Sequence, residues 1–564
     1  MFLRYLLVLI ASSAATHTFS QINTTRTPST SVGDARVVSG VYANDNFQYN
    51  GLSIGHHTTN NTVSRSFLHF HLSTIPTNAI VTSSHLTLRY SSSEWSSNET
   101  LRFELVEDSW DSGSITWNNQ PSVSTSSAID ITPTGTLDIL SQHVFAGLEP
   151  MSQLWINEPT SNKGLRIRAI SESTNNEVNY TGTFPSFNIF PPVLHLSYVF
   201  PIEINLESIT HCSTTSSTDG SISVSASEGG GGYSYQWHDA SGAPIGTDSP
   251  TISGLEYGWY GVQVATAYDT SYMSFIVGVE CENVAISYNP PAHYFENAVA
   301  AYLSTGSSSS QFWVGNYESL MAFRANISGI NYNYKSLFRF LIQLDNNLTI
   351  NKAQLELKGY GEHGDPYSES NAVRLKLVEG NWHIIDSYAN YPNVNATMYA
   401  EIPATLAADD DASVNVKSFF DSWKNTPNYG WSMEMANSGA LIAQAYRSLH
   451  YGDSDYWPYI EFEVSISCRY PELFSVLHSG YYTMKSTELF IAYDESYLTS
   501  EGELNYTVYN EQRVKQTGLP AANIVYGDNR IHVDMASLAN GIYILEVTNQ
   551  KNRKYYFRFK KDSL

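Results

Sequence analysis

The chain has 564 residues and a formal net charge of −24; only 15% of it is charged, while 13% is aromatic, with Tyr alone supplying 39 residues. So acidic a chain argues against nucleic-acid binding, because phosphate contacts need clustered Lys and Arg. It also sets an unfavourable overall field against anionic polymers unless a local basic patch offsets it. Hydrophobic residues make up 42%, enough for packed cores, and the length implies about three to five domains at roughly 150 residues each.

The first element, residues 1–21, reads MFLRYLLVLIASSAATHTFSQ. Arg4 gives a positive start, Tyr5 to Ala11 a short apolar core, and small residues follow, with cleavage expected near Ala14 or before Gln21. This is the pattern of a secretory signal, too short to span a bilayer. No later stretch has 18 consecutive apolar residues, so no transmembrane segment is expected in the mature chain. Beyond the leader, alternation dominates. SHLTLRYS, LRFELVE, GLRIRAI and VLHLSYV predict short strands separated by Ser/Asn/Gly-rich turns. Two stretches, SQHVFAGLEPMSQLW and ASVNVKSFFDSW, predict short helices. Short strands at regular spacing indicate an all-β chain of sandwiches or barrels.

The chain repeats itself. LRFELVEDSW (101–110) aligns with VRLKLVEGNW (373–382), and residues 65–90 align with 335–360. Trp110 matches Trp382, Trp117 matches Tyr388 after a one-residue deletion, and Pro121 matches Pro392. Each copy then carries a short helical stretch ending in Trp155 or Trp423, followed by NKGLRIR or NYGWSME and a proline-led last strand. A period this long means tandem domains rather than a solenoid, over residues 22–200 and 283–467. The first copy carries Arg65, Phe70, Leu72, Ile75, Pro76, Trp110 and the run from Ser114 to Pro121. With these residues it resembles the DNRLRE-type domain, a β-sandwich (jelly-roll-like) related to an alginate-binding carbohydrate-binding module family. The second copy keeps the frame but lacks the second Trp, the Asn-Asn-Gln triplet and the Ile-Pro pair.

Residues 201–282 contain D-G-S-I-x-V, a glycine run, Y-x-Y-x-W and G-L-x-x-G-x-Y-x-V-x-V. This order resembles the SprB repeat of Bacteroidetes surface adhesins, a small Ig-like sandwich in which Trp237 is expected to face the core from a central strand. Cys212 and Cys281 flank this segment, where a disulfide could clip its ends in an oxidising compartment. The alternative is that these two and Cys468 are three buried free thiols. Residues 472–564 end in LANGIYILEV and a basic R-F-x-K. They resemble the type A C-terminal sorting domain of type IX secretion, with Gly541 and Tyr543 at its G-x-Y and Arg558 and Lys560 at its R-F-x-K. That resemblance implies passage through the type IX machinery to the outer surface, followed by release or attachment to surface polysaccharide.

Several motifs invite chemical readings. GLSIG (51–55) satisfies G-x-S-x-G, but no helix is expected after Ser53, as a nucleophile elbow requires. GYGEHG (359–364) lacks the helix that a phosphate loop needs. His69 and His71 share one face of a strand, yet the second copy has Arg339 and Leu341 there. AADDDAS (407–413) and YGDSDYW (451–457) gather loop carboxylates of the kind that ligate calcium, so a structural calcium is an expected cofactor, with no ligand named. The phrase from Trp110 to Pro121 has two readings. In one, Trp110, Trp117, Trp382 and Tyr388 stack on sugar rings while Asn118, Asn119 and Gln120 bond hydroxyls. In the other, the aromatics pin a loop to the sandwich and the amides cap its turns. The phrase is a hallmark of the whole family, which fits a folding role better than contact with a variable ligand.

Together these features predict a secreted adhesin or glycan-binding protein whose partner is a polysaccharide, with no catalytic residues. Two linked weak sites would gain avidity on one polymer. The alternatives are a structural stalk that binds no glycan, and a polysaccharide-active enzyme built into a sandwich.

Overall fold

The structure is a computed structural model. It describes residues 21–466 apart from 29–32, 49–50, 94–97, 184–189, 281, 305–307, 315–317, 328–329, 361–372, 381, 383–390, 404–409 and 437–440, and farther on a set of strands between 482 and 561 with some of their connections. The leader, Cys281, Tyr388 and Cys468 lie outside the described residues.

The chain is all-β. In the first sandwich the strands are β1 (Ile22–Arg26), β2 (Asp34–Val38), β3 (Phe47–Gln48), β4 (Leu52–His57), β5 (Thr62–Leu68), β6 (Ile80–Ser93), β7 (Leu101–Val106), β8 (Val123–Ile131) and β9 (Gln142–Ala146). After helix α1 (Glu149–Asn157) come β10 (Leu165–Ala169), β11 (Val178–Tyr180) and β12 (Val193–Val199). One layer runs β1-β12-β6-β9 and the other β3-β2-β5-β10-β7-β8, while β11 and β4 stitch β6 to β5. The period of two decides which side chains face the core. In β10, Leu165, Ile167 and Ala169 are buried while Arg166 and Arg168 point the other way. The core between the layers includes Leu86, Leu88, Phe103, Phe145, Ile167 and Leu194.

The second sandwich repeats that order strand for strand. One layer runs Asn283–Tyr288, Tyr459–Ile466, Leu348–Lys358, Asp411–Asn415. The other runs Ser308–Val314, Phe295–Ser304, Ile330–Phe340, Trp431–Met435, Val373–Val378, Val394–Ile402. Ser319–Ile327 joins Ile330–Phe340 to Leu441–Arg447. The two stretches expected as helices are each half strand. QHVFA and DASVN alternate in burial and pair in sheets, and only Glu149–Asn157 and Lys417–Trp423 are helical. Their first halves carry the period of two, and an edge position in the sheet outweighs weak helix propensity.

Between the sandwiches, one sheet holds Glu203–Thr210, Gly220–Ser227 and Thr251–Leu255. A second holds Pro244–Ile245, Ser234–His238, Gly258–Ala265 and Thr270–Val277. Trp237 is fully buried between them, its Nε1–H donating to the Ser249 carbonyl at 2.9 Å. Cys212 departs from the expected disulfide. It is a buried free thiol whose Sγ donates to the Leu255 carbonyl at 3.2 Å. Backbone bonds close the segment there instead: Cys212 N–H to Gly278 O at 3.0 Å and Glu280 N–H to Cys212 O at 2.8 Å.

This middle unit is fused to the second sandwich. Ser274 N–H donates to Leu341 O at 2.8 Å, and Gln343 N–H donates to Ser274 O at 2.9 Å. His211 accepts the Gly278 N–H on Nδ1 at 2.9 Å and donates from Nε2 to Asp345 at 2.9 Å. One hydrophobic cluster runs continuously from Ile202 to Ile466. At the C-terminal end, one sheet holds Tyr482–Lys485, Glu488–Ala492, Arg530–Asp534 and Asn523–Val525, and the other Asn505–Asn510, Gly541–Thr548 and Lys554–Lys561. Tyr543 is buried and donates its hydroxyl to the Ala539 carbonyl at 2.9 Å. Arg558 and Lys560 lie on the last strand, paired with Ile544 and Ile542.

Candidate functional site

The loop between β7 and β8, residues 107–122, folds back over the outer face of the layer β2-β5-β10-β7. That face presents Ala35, Val37, Phe67 and Val106, and the loop covers them with Ile115, Trp110 and Trp117, beside Val123 at the start of β8. A second, small apolar core therefore sits outside the main one. Trp110 packs on Phe67 with ring centroids 5.5 Å apart. Its Nε1–H donates to the Lys163 carbonyl at 2.7 Å. That carbonyl is presented by a tight turn. Asn162 donates to Phe70 O and accepts from Gly164 N–H, and Gly164 sits at φ +89°. A Cβ at Gly164 would lie 2.3 Å from Leu68 O, so only glycine fits the approach.

The amides of the loop are used within it and against the strands and turn beside it. Asn119 accepts from Thr116 N–H and hydroxyl at 2.6 and 3.0 Å and donates to Ser114 O at 3.0 Å. Gln120 donates to Trp117 O at 2.9 Å and accepts from Arg65 Nη1 at 3.1 Å. Asn118 donates to Asn44 Oδ1 at 2.7 Å. Trp117 lies on the Arg65 guanidinium, 4.4 Å from ring centroid to Cζ, a contact worth about 0.5–2 kcal/mol. Arg65 in turn grips Glu172 through two bonds of 2.7 Å. Beside it the buried Glu104 carboxylate is clamped by Arg166 at 2.7 Å and Arg168 at 3.2 Å. Burial is the main influence on the Arg166 guanidinium and lowers its pKa, against the opposing pull of Glu104. The geometry thus supports the turn-capping reading of Trp117, Asn118, Asn119 and Gln120.

One side of the same loop stays open. A cleft of 560 Å³ is lined by Asp108, Ser109, Trp110, Asp111, Ser114 and Asn119, with Ile115, Gln120 and Pro121 completing its wall. Trp117 and Asn118 are not part of that wall. Asp108 accepts from Ser122 N–H at 3.2 Å and from its hydroxyl at 2.5 Å, which hold the carboxyl below the usual Asp range. Among the described residues, nothing hydrogen-bonds the Asp111 carboxylate. The sequence reading did not single out Asp108 and Asp111. The available signal was that, with Glu107, they are the only ionisable side chains in residues 107–122.

The second copy rebuilds the clamp with other residues. Trp382 is buried and donates to Tyr429 O at 2.6 Å, on a turn where Asn428 donates to Phe340 O and Gly430 stands at φ +79°. Tyr388, the expected match of Trp117, lies outside the described residues. The ring that covers the matching cation is Tyr391, 5.1 Å from Lys335 Nζ, with its hydroxyl 2.5 Å from Ser432. Glu434 is clamped by Lys335 and Lys376. Strand register places Lys376 where the first copy has Glu104 and Glu434 where it has Arg168. The ion pair is inverted. Burial pushes the Glu434 carboxyl up, but the two ammonium groups outweigh it, so its pKa falls below the ordinary value.

The remaining motifs do not converge into a site. Ser53 lies inside β4 and donates to Glu177 at 2.7 Å, so GLSIG is a strand rather than an elbow. His69 meets Asn162 O at 3.2 Å and His71 meets Ser73 at 2.9 Å. Among the described residues, no group of three or more His, Cys, Asp or Glu is gathered as a metal site. The stretches 361–372 and 404–409 lie outside the described residues.

Residues 25–143 match carbohydrate-binding module family 96, a stretch that contains the whole loop and cleft. That match supports a carbohydrate-binding role, and it points to binding rather than catalysis. No curated protein matches the chain. Among solved structures, one described as showing the structural basis for promiscuous specificity of carbohydrate-binding modules of the β-sandwich superfamily is 7% identical, covering 47% of this chain and 97% of that one at a TM-score of 0.12. A tetra-tandem repeat from the extending region of a large adhesion protein is 9% identical, covering 64% and 100% at 0.11. A three-domain immunoglobulin fragment of titin is 8% identical, covering 64% and 96% at 0.12. Scores this low carry no argument.

Proposed function

We propose that this chain is a secreted polysaccharide-binding protein of the cell surface, an adhesin in the broad sense, with the cleft beside Trp110 as its glycan site. The single observation that carries the reading is this cleft. It combines an aromatic wall with a carboxylate left unbonded inside a matched carbohydrate-binding module. Hydroxyls donating to an ionised acceptor form the stronger class of hydrogen bond, and Trp110 supplies an apolar surface beside them. The leader and the C-terminal resemblance support export by type IX secretion, with structural calcium remaining part of the same proposal. Affinity electrophoresis of the full chain against a polysaccharide panel, with and without calcium, tests it. Retardation by at least one polymer, lost in Asp111→Ala, is expected; no retardation by any polymer contradicts it.

One observation favours a second role for the rest of the chain. The core that runs from Ile202 to Ile466 without a break suits a stiff stalk that holds the first sandwich away from the surface.

A further inference from the structure

We infer that the cleft beside Trp110 takes a glycan without anionic groups, an uncharged hexose or pentose polymer rather than a polyuronate; this rests on the glycan-binding reading above. Among the described residues that line the cleft there is no Lys, Arg or His, while two are carboxylates, Asp108 and Asp111. Asp108 is held by Ser122 in its ionised form, so its charge persists into mild acid.

The nearby arginines are already engaged. Arg65 is bound by Glu172 and Gln120 and covered by Trp117. Arg166 and Arg168 are held by Glu104, and Arg102 by Asp130 at 2.7 Å. None of these guanidinium groups is free to receive a sugar carboxylate. The chain's net charge of −24 adds a field of the same sign. A uronate polymer carries one carboxylate per sugar. Each sugar carboxylate brought against a cleft carboxylate is repelled even at the dielectric of water, and such contacts lie inside the Debye length, so salt relieves only part of the repulsion. An uncharged sugar turns the same two groups into acceptors for its hydroxyls. The resemblance of the first copy to an alginate-binding family therefore does not carry over to its ligand.

The test is affinity electrophoresis of the full chain in gels containing hydroxyethylcellulose, galactomannan or arabinoxylan on one side, and alginate or polygalacturonate on the other. An Asp108→Asn/Asp111→Asn variant is run in parallel. The wild type is expected to be retarded by at least one uncharged polymer and by neither polyuronate. The double variant is expected to gain roughly five- to thirtyfold in polyuronate affinity at low salt, the fold-change that removing one or two contact repulsions gives. Polyuronate retardation of the wild type equal to or above that of the uncharged polymers overturns the inference while leaving glycan binding standing. So does a double variant that gains nothing. Failure of every polymer to retard the wild type instead overturns glycan binding itself.

Discussion

Glu104 is the residue on which the outer face of the first sandwich turns. Its carboxylate is 1% exposed and bonded by two arginines, and removing one partner of a buried ion pair leaves the others uncompensated. Glu104→Gln should destabilise the first sandwich by about 3 kcal/mol in urea unfolding. The second copy supplies the rescue, because it carries the same pair with signs reversed. Glu104→Lys combined with Arg168→Glu and with Arg166→Ser, the residue the second copy has there as Ser432, should recover more than half of that loss, as coupled neighbours are non-additive. Glu434 gives the matching pH effect. Its folded pKa lies below the unfolded 4.5, so the unfolded chain binds protons first on acidification. Its contribution is whole above that value and is lost as pH falls from about 4.5 through the folded pKa. Thermal melts across this window should show a steeper loss for the wild type than for Glu434→Gln.

At the scale of elements, the recurring Trp is a bolt and the N-x-G turn is its socket. Gly164→Ala would force a Cβ against Leu68 O at positive φ. It should cost roughly 2–4 kcal/mol, read as a lowered urea midpoint, and Gly430→Ala should do the same in the second sandwich. Part of this was legible in the sequence. Alternation such as LRIRA placed the strands, and the paired phrases NKG and NYG marked the two turns. The socket itself was not, because nothing in the residue order says that Lys163 O faces Trp110. In the second copy Tyr391 lies over Lys335, a tertiary contact that residue order does not announce. QHVFA and DASVN were misread for a related reason, since a short strand beside a helix shares its apolar residues with the helical pattern.

Across the whole molecule, the middle unit and the second sandwich act as one body. The joint contains backbone bonds through Ser274 and the His211–Asp345 contact, with a common core on both sides. Hydrogen exchange should show Gly258–Ala265 and Tyr459–Ile466 opening with the same free energy, as one cooperative unit, while β10 of the first sandwich opens independently. A spacer with its own stability would split the first pair. This fusion was hidden from the sequence, where a repeat boundary marks residues 201–282 off as a separate unit.

The central claim is that the loop's tryptophans hold a fold and its open carboxylate meets the ligand. The most direct test measures thermal midpoint and glycan retardation together for Asp111→Ala and Trp117→Ala in the full chain. Asp111→Ala should lose retardation with its midpoint unchanged. Trp117→Ala should lose about 1–2 kcal/mol of stability, the worth of its Arg65 contact and partial burial, and keep its retardation below the melt. The reverse pattern, with binding lost in Trp117→Ala at full stability and kept in Asp111→Ala, would make Trp117 the sugar platform and contradict the account.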